Sequence, residues 1–160
     1  MDKPRQRIVV LVGLPGSGKS TWLERQGITG ISSDWIRQVL ADDATDQTIH
    51  ARIFLTMRYL LRHRLAIGRA VSYVDATHLT PEERQPYIQI GRWYGCDVEA
   101  LYFDAPLEVC RRRNRLRERV VPDDAMERMA GKLTPPDRAE GFSKVIRVRP
   151  KRDLKVPPAR

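Results

Sequence analysis

The apolar positions of this chain form short β-branched runs that alternate with longer stretches of helical periodicity. Such runs are typical of buried strands, and five are predicted, at residues 8–12, 29–31, 70–75, 98–103 and 143–148. The longest helical pattern runs from about Gln47 to Ile67. Alternating strands and helices predict a parallel sheet with helices on both faces. We therefore expect a three-layer α/β/α domain with a central parallel sheet of about five strands.

Cap residues predict where two of the helices begin. Ser32 or Ser33 can cap a helix that starts directly after the second strand. Thr80 and Glu83 have the spacing of a capping box, and Pro81 stands between them at the first helical position. Both helices would therefore start just beyond the carboxyl end of a strand.

A glycine-rich loop follows the first strand. Residues 13–20 read GLPGSGKS and match G-x-x-x-x-G-K-[ST] at every defined position. Glycines leave no Cβ between the backbone and a ligand, so that consecutive N–H groups can surround a polyphosphate at a helix N-terminus. Lys19 adds a cation for the outer phosphates, and the Ser20 hydroxyl can ligate Mg²⁺. The loop predicts binding of ATP, or another nucleoside triphosphate, with Mg²⁺ through Gly13, Pro15, Gly16, Ser17, Gly18, Lys19, Ser20 and Thr21.

Length, charge and cysteine content indicate how many domains the chain has and what kind of partner it binds. With 160 residues the chain fits one domain with one active centre. Its 29 Lys and Arg against 20 Asp and Glu give a formal net charge of +9, which favours a polyanionic partner beyond the nucleotide. Cys96 and Cys110 lack the spacing of a disulfide framework or a zinc site. The N-terminus resembles neither a signal peptide nor a membrane span, so we expect a cytoplasmic protein without a membrane partner.

Two acidic residues stand where an open α/β sheet binds its ligands. Asp34 follows the second predicted strand, and Asp75 ends the third. In phosphoryl transfer an acceptor hydroxyl must lose its proton, which Asp34 can accept, while Arg37 on the same helix face can bind an anionic group. The alternative is structural, with Asp34 favouring the helix dipole and Arg37 as its intrahelical partner.

Arginine is concentrated near the fourth strand. Residues 111–119 contain six arginines, on a helix expected to open at Pro106. Arginines repel one another unless an anion is present, so we expect at least one of the six to bind phosphate. At four-residue spacing they would form two helix faces, one with Arg113 and Arg117 and one with Arg111, Arg115 and Arg119.

Two further basic stretches receive no catalytic role. Residues 149–160 are basic and rich in proline, and we expect a disordered tail after a kinase domain at residues 1–148. The charged side of the long helix is interpreted as a solvated face. It carries Arg52, Arg58, Arg62 and Arg64.

Four segments together resemble the P-loop polynucleotide 5′-hydroxyl kinases. The loop GLPGSGKSTW resembles the opening of that family, and ISSDWIRQ resembles its acceptor segment. VDATHLTPEER is similar to the segment in which the family has Asp-Thr-Asn, and FDAPLEVCRRRNRLRE followed by VP resembles its lid. These segments extend over roughly residues 8–130. The resemblance implies an ATP-dependent kinase that phosphorylates 5′-hydroxyl ends of DNA or RNA.

The resemblance also implies roles for individual residues. Lys19 and Arg117 would act in catalysis, together with Asp34 as the general base. Arg113 would join Arg117 over ATP in an arginine-rich helical lid at about residues 106–131. The remaining implied contacts are Ser20 with Mg²⁺ and the phosphates, Arg37 with the acceptor-strand phosphate, and Asp75 and Thr77 with the acceptor.

Differences between this sequence and the family leave the preferred nucleic acid and the further repair steps undetermined. His78 stands where the family has Asn, and residues 33–35 are less polar than the corresponding run, so that DNA and RNA both remain candidates. No D-x-D-G-T segment is present, and 3′-end healing would need separate phosphatase and ligase proteins. Two other functions stay open: a small-molecule or aminoacyl-tRNA kinase of the same fold, and a nucleotide-gated nucleic-acid-binding module without catalysis.

Overall fold

A five-stranded parallel sheet forms the centre of the molecule. The computed structural model describes residues 3–150. Its strands are β1 (Arg7–Val12), β2 (Ile31–Ser32), β3 (Val71–Asp75), β4 (Asp97–Phe103) and β5 (Lys144–Val148). They lie in the order β2-β3-β1-β4-β5, and each neighbouring pair is parallel. The predicted three-layer α/β fold with five parallel strands is confirmed.

Helices connect the strands. Within residues 3–150 they are α1 (Lys19–Arg25), α2 (Ser33–Ala41), α3 (His50–Ala66), α4 (Pro81–Tyr94), α5 (Leu107–Arg115) and α6 (Asp123–Lys132), followed by a 3-10 turn at Arg138–Glu140. α3 begins three residues later than predicted. The carboxylates of Asp43 and Asp46 each accept a 2.8 Å hydrogen bond from an N–H two residues ahead, which holds the preceding segment in turns.

The helix caps agree with the sequence at α2 and differ at α4. Ser32, one of the two candidates, accepts a hydrogen bond from the N–H of Trp35 at 3.2 Å. At α4 the Thr80 hydroxyl accepts from the N–H of Glu83 at 3.3 Å. The Glu83 carboxylate, however, accepts from the N–H of Leu79 at 2.7 Å and not from that of Thr80. The reciprocal half of the predicted capping box is therefore displaced by one residue.

Alternating residues of β1 pack in two separate cores, because successive side chains of a strand point to opposite faces. Ile8, Val10 and Val12 pack in the larger core, which also contains the buried faces of α3 and α4. Val9 and Leu11 pack on the other face, against α1. None of these five side chains is more than 4% exposed. Burial on both faces explains why this strand is an unbroken apolar run.

Buried polar side chains attach α4 to the rest of the domain. His78 has a left-handed φ of 46°, and its Nδ1 lies 2.6 Å from the carbonyl oxygen of Leu11 while its Nε2 lies 3.1 Å from the Tyr87 hydroxyl. Burial lowers the pKa of His78 to about 4. The fully buried Arg84 donates to the carboxylate of Glu140 at 2.8 and 2.9 Å. These contacts join β1, α4 and the 3-10 turn.

The prediction of one helix through Arg119 is wrong, because α5 ends at Arg115. The buried Asn114 amide donates to the carbonyl oxygen of Val121 at 2.7 Å and accepts from its N–H at 3.0 Å. These two bonds close a turn that leads into α6. Arg117 and Arg119 lie in this turn, so the two helix faces predicted for the arginine block do not exist.

Some expectations concern the ends of the chain or its surroundings. Residues 151–160, most of the predicted disordered tail, lie outside the described residues. Cys96 and Cys110 are free thiols. Between residues 3 and 150, no helix combines the length and the hydropathy that crossing a bilayer requires.

Candidate active site

The glycine-rich loop connects β1 to α1 at the carboxyl edge of the sheet. Gly16 and Gly18 have φ angles of 79° and 104°, a region that L side chains rarely adopt. A Cβ on Gly16 would lie 2.5 Å from the carbonyl oxygen of Cys110, so the loop backbone packs directly against α5. Gly18 is the N-cap of α1, and Lys19 is the first helical residue. The loop thus has the conformation that its glycine spacing predicts.

The Lys19 side chain folds back onto its own loop. Its Nζ donates to the carbonyl oxygens of Gly13 at 2.7 Å and Leu14 at 2.8 Å. Burial lowers the pKa of Lys19 to about 8, although the nearby Asp75 carboxylate opposes this shift. The ammonium group is therefore held by groups that a phosphate could replace.

A cleft of about 910 Å³ opens above the loop and brings most of the predicted site residues together. Gly13 is the exception, because it lies at the end of β1 and its N–H donates to the carbonyl oxygen of Thr77 at 3.0 Å. The predicted residues that line the cleft are Pro15, Gly16, Ser17, Gly18, Lys19, Ser20, Thr21, Asp34, Arg37, Asp75, Thr77, Arg113 and Arg117.

Asp34 lies in this cleft among three guanidinium groups. Its carboxylate accepts from Arg119 at 2.8 Å and from Arg37 at 3.3 Å, and Arg117 Nη2 lies 3.7 Å from its other oxygen. The Asp34 side chain is half exposed, whereas that of Arg37 is only 5% exposed. The buried Nε of Arg37 has no hydrogen-bond partner among the described residues. A buried guanidinium with an unused donor is a position at which an anion can bind.

Asp75 lies beside the loop at the end of β3. It is 9% exposed, and this burial raises the pKa of its carboxyl, while the charge of Lys19 and a hydrogen bond from the Ser20 side chain oppose the rise. The loop serine and a strand-end carboxylate therefore meet at one point. A hydroxyl next to a carboxylate is a donor set that fits Mg²⁺, which takes few protein ligands and keeps several waters and phosphate oxygens.

The arginine block divides between the cleft and the surface. Arg113, Arg117 and Arg119 line the cleft. Arg111 instead donates to Glu108 at 2.7 Å and to Glu127, which ties α5 to α6. Arg115 is exposed, and its nearest acidic partner is 3.7 Å away.

Sequence reasoning missed several residues of the cleft. Arg119 belongs to a predicted helix face that does not exist, although its charge and its place in the arginine block indicate a phosphate contact. The other missed residues belong to patterns that are typical of a core or a surface, and nothing local distinguishes them. They include Gln47, His50, Phe54, Val121 and Met129.

Comparison with known proteins places the chain in a family. Residues 8–136 match the model of a family described as AAA domain. The chain belongs to this AAA domain family. The match begins in β1 and includes the loop, Asp34 and the turn after α5, whereas Val148, Arg149 and Pro150 at the edge of the cleft lie beyond it.

One curated relative of this AAA domain protein is a bifunctional polynucleotide phosphatase/kinase from Schizosaccharomyces pombe. The two are 26% identical over 148 residues, which cover 89% of this chain and 33% of the relative. The chain thus spans about a third of that protein's length. This similarity agrees with the resemblance that the four sequence segments carry.

Solved structures show that the AAA domain has a P-loop kinase fold. A chain of the Pnkp1/Rnl/Hen1 RNA repair complex superposes with a TM-score of 0.67 at 24% identity, covering 82% of this chain and 45% of that one. The APS kinase CysC of Mycobacterium tuberculosis, in complex with AMPPNP and APS, has a TM-score of 0.56 at 24% identity, with 94% and 92% covered. At these identities the likeness concerns the fold.

Proposed function

We propose that this protein is an ATP-dependent kinase that phosphorylates the 5′-hydroxyl end of DNA or RNA. The observation that carries the proposal is that Asp34 and the buried Arg37 share one cleft with Lys19 and Ser20. A kinase requires a proton acceptor and an anion site opposite its phosphate donor. The polynucleotide phosphatase/kinase from fission yeast and the net charge of +9 support a nucleic-acid acceptor.

In this proposal the glycine-rich loop holds the triphosphate. The Nζ of Lys19 leaves the carbonyl oxygens of Gly13 and Leu14 and contacts the outer phosphates, while Arg113 and Arg117 approach from the lid. Ser20 and Asp75 would hold Mg²⁺, which neutralises charge on the β- and γ-phosphates when it is bound. Lys19, Arg113, Arg117 and the bound cation would attract the negative charge on the transferred phosphoryl group, whereas Ser20 and Asp75 would act by holding the cation.

The acceptor would enter beside α2. Its 5′ oxygen attacks the γ-phosphorus, the bond from that phosphorus to the β–γ bridging oxygen breaks, and the hydroxyl proton passes to the Asp34 carboxylate. Arg37 binds the first phosphate of the strand, and Asp75 and Thr77 lie near the terminal nucleotide. Separate proteins would supply phosphatase and ligase steps at the same nucleic-acid break.

Transfer of label from γ-labelled ATP to a 5′-hydroxyl oligonucleotide tests the proposal. The wild-type protein should label the oligonucleotide in the presence of Mg²⁺, and Asp34→Ala should lower kcat by about 100-fold or more, because it removes the general base. Arg37→Ala should mainly raise KM for short acceptors. Matched DNA and RNA acceptors rank the two polymers. Absence of transfer above the Asp34→Ala level from both would refute a polynucleotide kinase.

A small-molecule kinase is the second candidate, favoured by the APS kinase structure that matches nearly the whole length of both chains. Such an enzyme would phosphorylate small alcohols at a rate that neither salt nor a competing oligonucleotide changes. Strong inhibition of that activity by an oligonucleotide would exclude it. Oligonucleotide binding with no ATP turnover at all would instead indicate a non-catalytic module.

A further inference from the structure

One ridge of α3 leads away from the active-site cleft and has no role in the proposed reaction. His50 and Phe54 line the cleft, and Arg58 and Arg62 follow at the same four-residue spacing. Residues four apart are neighbours on a helix surface. At Arg62 the ridge reaches Trp93 of α4, whose ring centre lies 6.0 Å from the Arg62 guanidinium carbon. We name these five residues the α3 ridge.

The ridge is basic and lacks acidic neighbours on its own helix. α3 contains four arginines, two histidines and no Asp or Glu. The acidic residues of α4 are confined to its first turn, at the opposite end from Trp93. Within residues 3–150, Arg58 and Arg62 form no ion pair with a carboxylate, whereas Arg64 on the same helix is used internally and donates to Ser72 and Val71. The positive charge of Arg58 and Arg62 is therefore available to an external anion.

Exposed aromatic rings accompany this charge. Trp93 is 65% exposed, and on the adjacent face of α3 Tyr59 is 63% exposed and contacts His63 at a ring distance of 4.4 Å. Arg62 lies over the exposed ring of Trp93, so that charge and an aromatic surface occur together at one place on the surface. Rings stack on nucleobases and arginines bind phosphates, and single-stranded nucleic acid offers both groups at short spacing.

The length of the ridge agrees with such a partner. His50 and Arg62 are twelve residues apart, which at about 1.5 Å per residue is about 18 Å. About five stacked nucleotides span this distance at about 3.4 Å each. His50, where the ridge begins, lines the same cleft as Arg37 with its unused donor, so one strand would enter both sites.

We propose that the α3 ridge binds the single-stranded nucleic acid downstream of the 5′ end, with Arg58 and Arg62 on phosphates and Trp93 against a base. This inference rests on the proposed function, which sets the direction of the strand: its 5′ end lies in the cleft and the following nucleotides extend towards Trp93. Binding of the strand itself does not require phosphate transfer. A strand without any end can therefore test the ridge separately from the kinase reaction.

The first experiment measures binding of circular 20-nucleotide single-stranded DNA and RNA, which have no 5′ hydroxyl end, by fluorescence anisotropy. Arg58→Gln/Arg62→Gln should weaken binding about tenfold and reduce the slope of log K against log salt by about 1.4, because about 0.7 is lost per single-strand phosphate contact. Trp93→Ala should weaken binding about fivefold or more, and Trp93→Phe should restore much of it. The matched control, Arg138→Gln/Lys144→Gln, removes two exposed charges elsewhere and should change binding less than twofold.

The second experiment measures transfer to 5′-hydroxyl acceptors of increasing length. For the wild type, KM should fall until the acceptor reaches about six nucleotides, the phosphate at Arg37 plus the five on the ridge. For Arg58→Gln/Arg62→Gln, KM for a dinucleotide acceptor should be unchanged. KM should no longer fall as the acceptor is lengthened. If no acceptor is phosphorylated but the circular strands show the predicted losses, the kinase proposal fails and the ridge proposal stands.

Several outcomes would overturn the ridge proposal. One is wild-type protein that does not bind the circles, and another is a ridge variant that binds them as tightly as the control variant. A third is a ridge variant that keeps nucleic-acid binding but changes the mass measured by light scattering, because the patch would then join two copies of the protein. Circular dichroism of each variant establishes that a loss of binding is not a loss of fold.

Discussion

The ammonium group of Lys19 is buried against carbonyl oxygens of its own loop, and its pKa is lowered to about 8. Near pH 8 and above, a growing share of the protein thus carries a neutral Lys19. A triphosphate favours the charged form, so its binding should take up a proton. The residue that identifies the loop in the sequence is also the one whose charge depends on the ligand.

We predict that ATP affinity falls by up to about tenfold per pH unit above pH 8, with proton uptake on binding. Titration calorimetry at pH 9 in two buffers of different ionisation enthalpy measures this uptake directly. Lys19→Arg keeps its charge at this pH and should bind, if more weakly, without the buffer dependence. Equal wild-type enthalpies in the two buffers would contradict the prediction.

Arg119 reaches Asp34 across 85 residues of sequence, with a 2.8 Å contact. Both side chains are partly exposed, at 24% and 51%, so water and salt weaken their attraction. The contact nevertheless connects the turn after α5 to the proposed general base. An acceptor that approaches Asp34 must compete with this arginine.

We predict a coupling free energy of about 0.5 to 1 kcal/mol between Asp34 and Arg119 in the unliganded protein. A double-mutant cycle with Asp34→Asn and Arg119→Gln, measured by urea unfolding at low salt, gives this value. The coupling should shrink in about 1 M salt. The exposed Arg112 of α5, combined with Asp34 in the same cycle, should give no coupling, and an equal value for both arginines would argue against a specific contact.

At the scale of elements, the turn between α5 and α6 organises the segment that we propose as a lid. Asn114 is fully buried and both of its amide atoms bond to the backbone of Val121. The turn therefore depends on the neutral side chain of Asn114, although most of its neighbours in sequence are arginines. Its position decides that Arg117 and Arg119 face the cleft while Arg111 binds Glu127.

We predict that Asn114→Ala destabilises the protein by about 1 to 3 kcal/mol, because two buried backbone groups of Val121 lose their partner. Urea unfolding measures the loss of stability. ATP should also bind more weakly, since the turn carries Arg117. The matched control is Arg115→Ala, one residue along and exposed, which should change stability by less than about 0.5 kcal/mol. Similar losses for both variants would show that the turn does not depend on Asn114.

At the scale of the whole molecule, His78 connects the strand below the glycine-rich loop to α4. It is held neutral between the Leu11 carbonyl oxygen and the Tyr87 hydroxyl, and burial lowers its pKa from 6.5 to about 4. Between these two values the unfolded chain binds a proton that the folded protein excludes. Stability from this group is thus fully present above pH 6.5 and is lost as the pH falls towards 4.

We predict that His78 alone accounts for a loss of about 3 kcal/mol of unfolding free energy between pH 7 and pH 4. Urea unfolding across this range measures the slope. His78→Asn cannot titrate, so the difference in slope between the two proteins isolates His78 from the acidic residues that also titrate. Parallel pH profiles for the wild type and the variant would refute a neutral, buried His78.

The strand pattern, the glycine-rich loop and the helix start after Ser32 could be predicted from the sequence, because each depends on neighbours within a few residues. An unbroken apolar run becomes a central strand, and glycines permit the left-handed turn of the loop. The predictions that failed relied on continuing a local pattern too far. The helix through Arg119 has the right composition, but the bonds of Asn114 to Val121 end it.

Only the tertiary structure decided which charged groups meet. The order β2-β3-β1-β4-β5 brings the ends of β2 and β3 to the loop after β1, so that Asp34, Asp75 and Ser20 share one cleft although they are far apart in sequence. The tertiary structure also places some arginines in the cleft, others on the surface and others on the α3 ridge, although all carry the same charge. The sequence by itself determined the elements and the nucleotide loop, since these need only local chemistry. Contacts between residues far apart in sequence depend on the packed sheet, because a residue's neighbours in sequence do not determine which distant side chain it will contact.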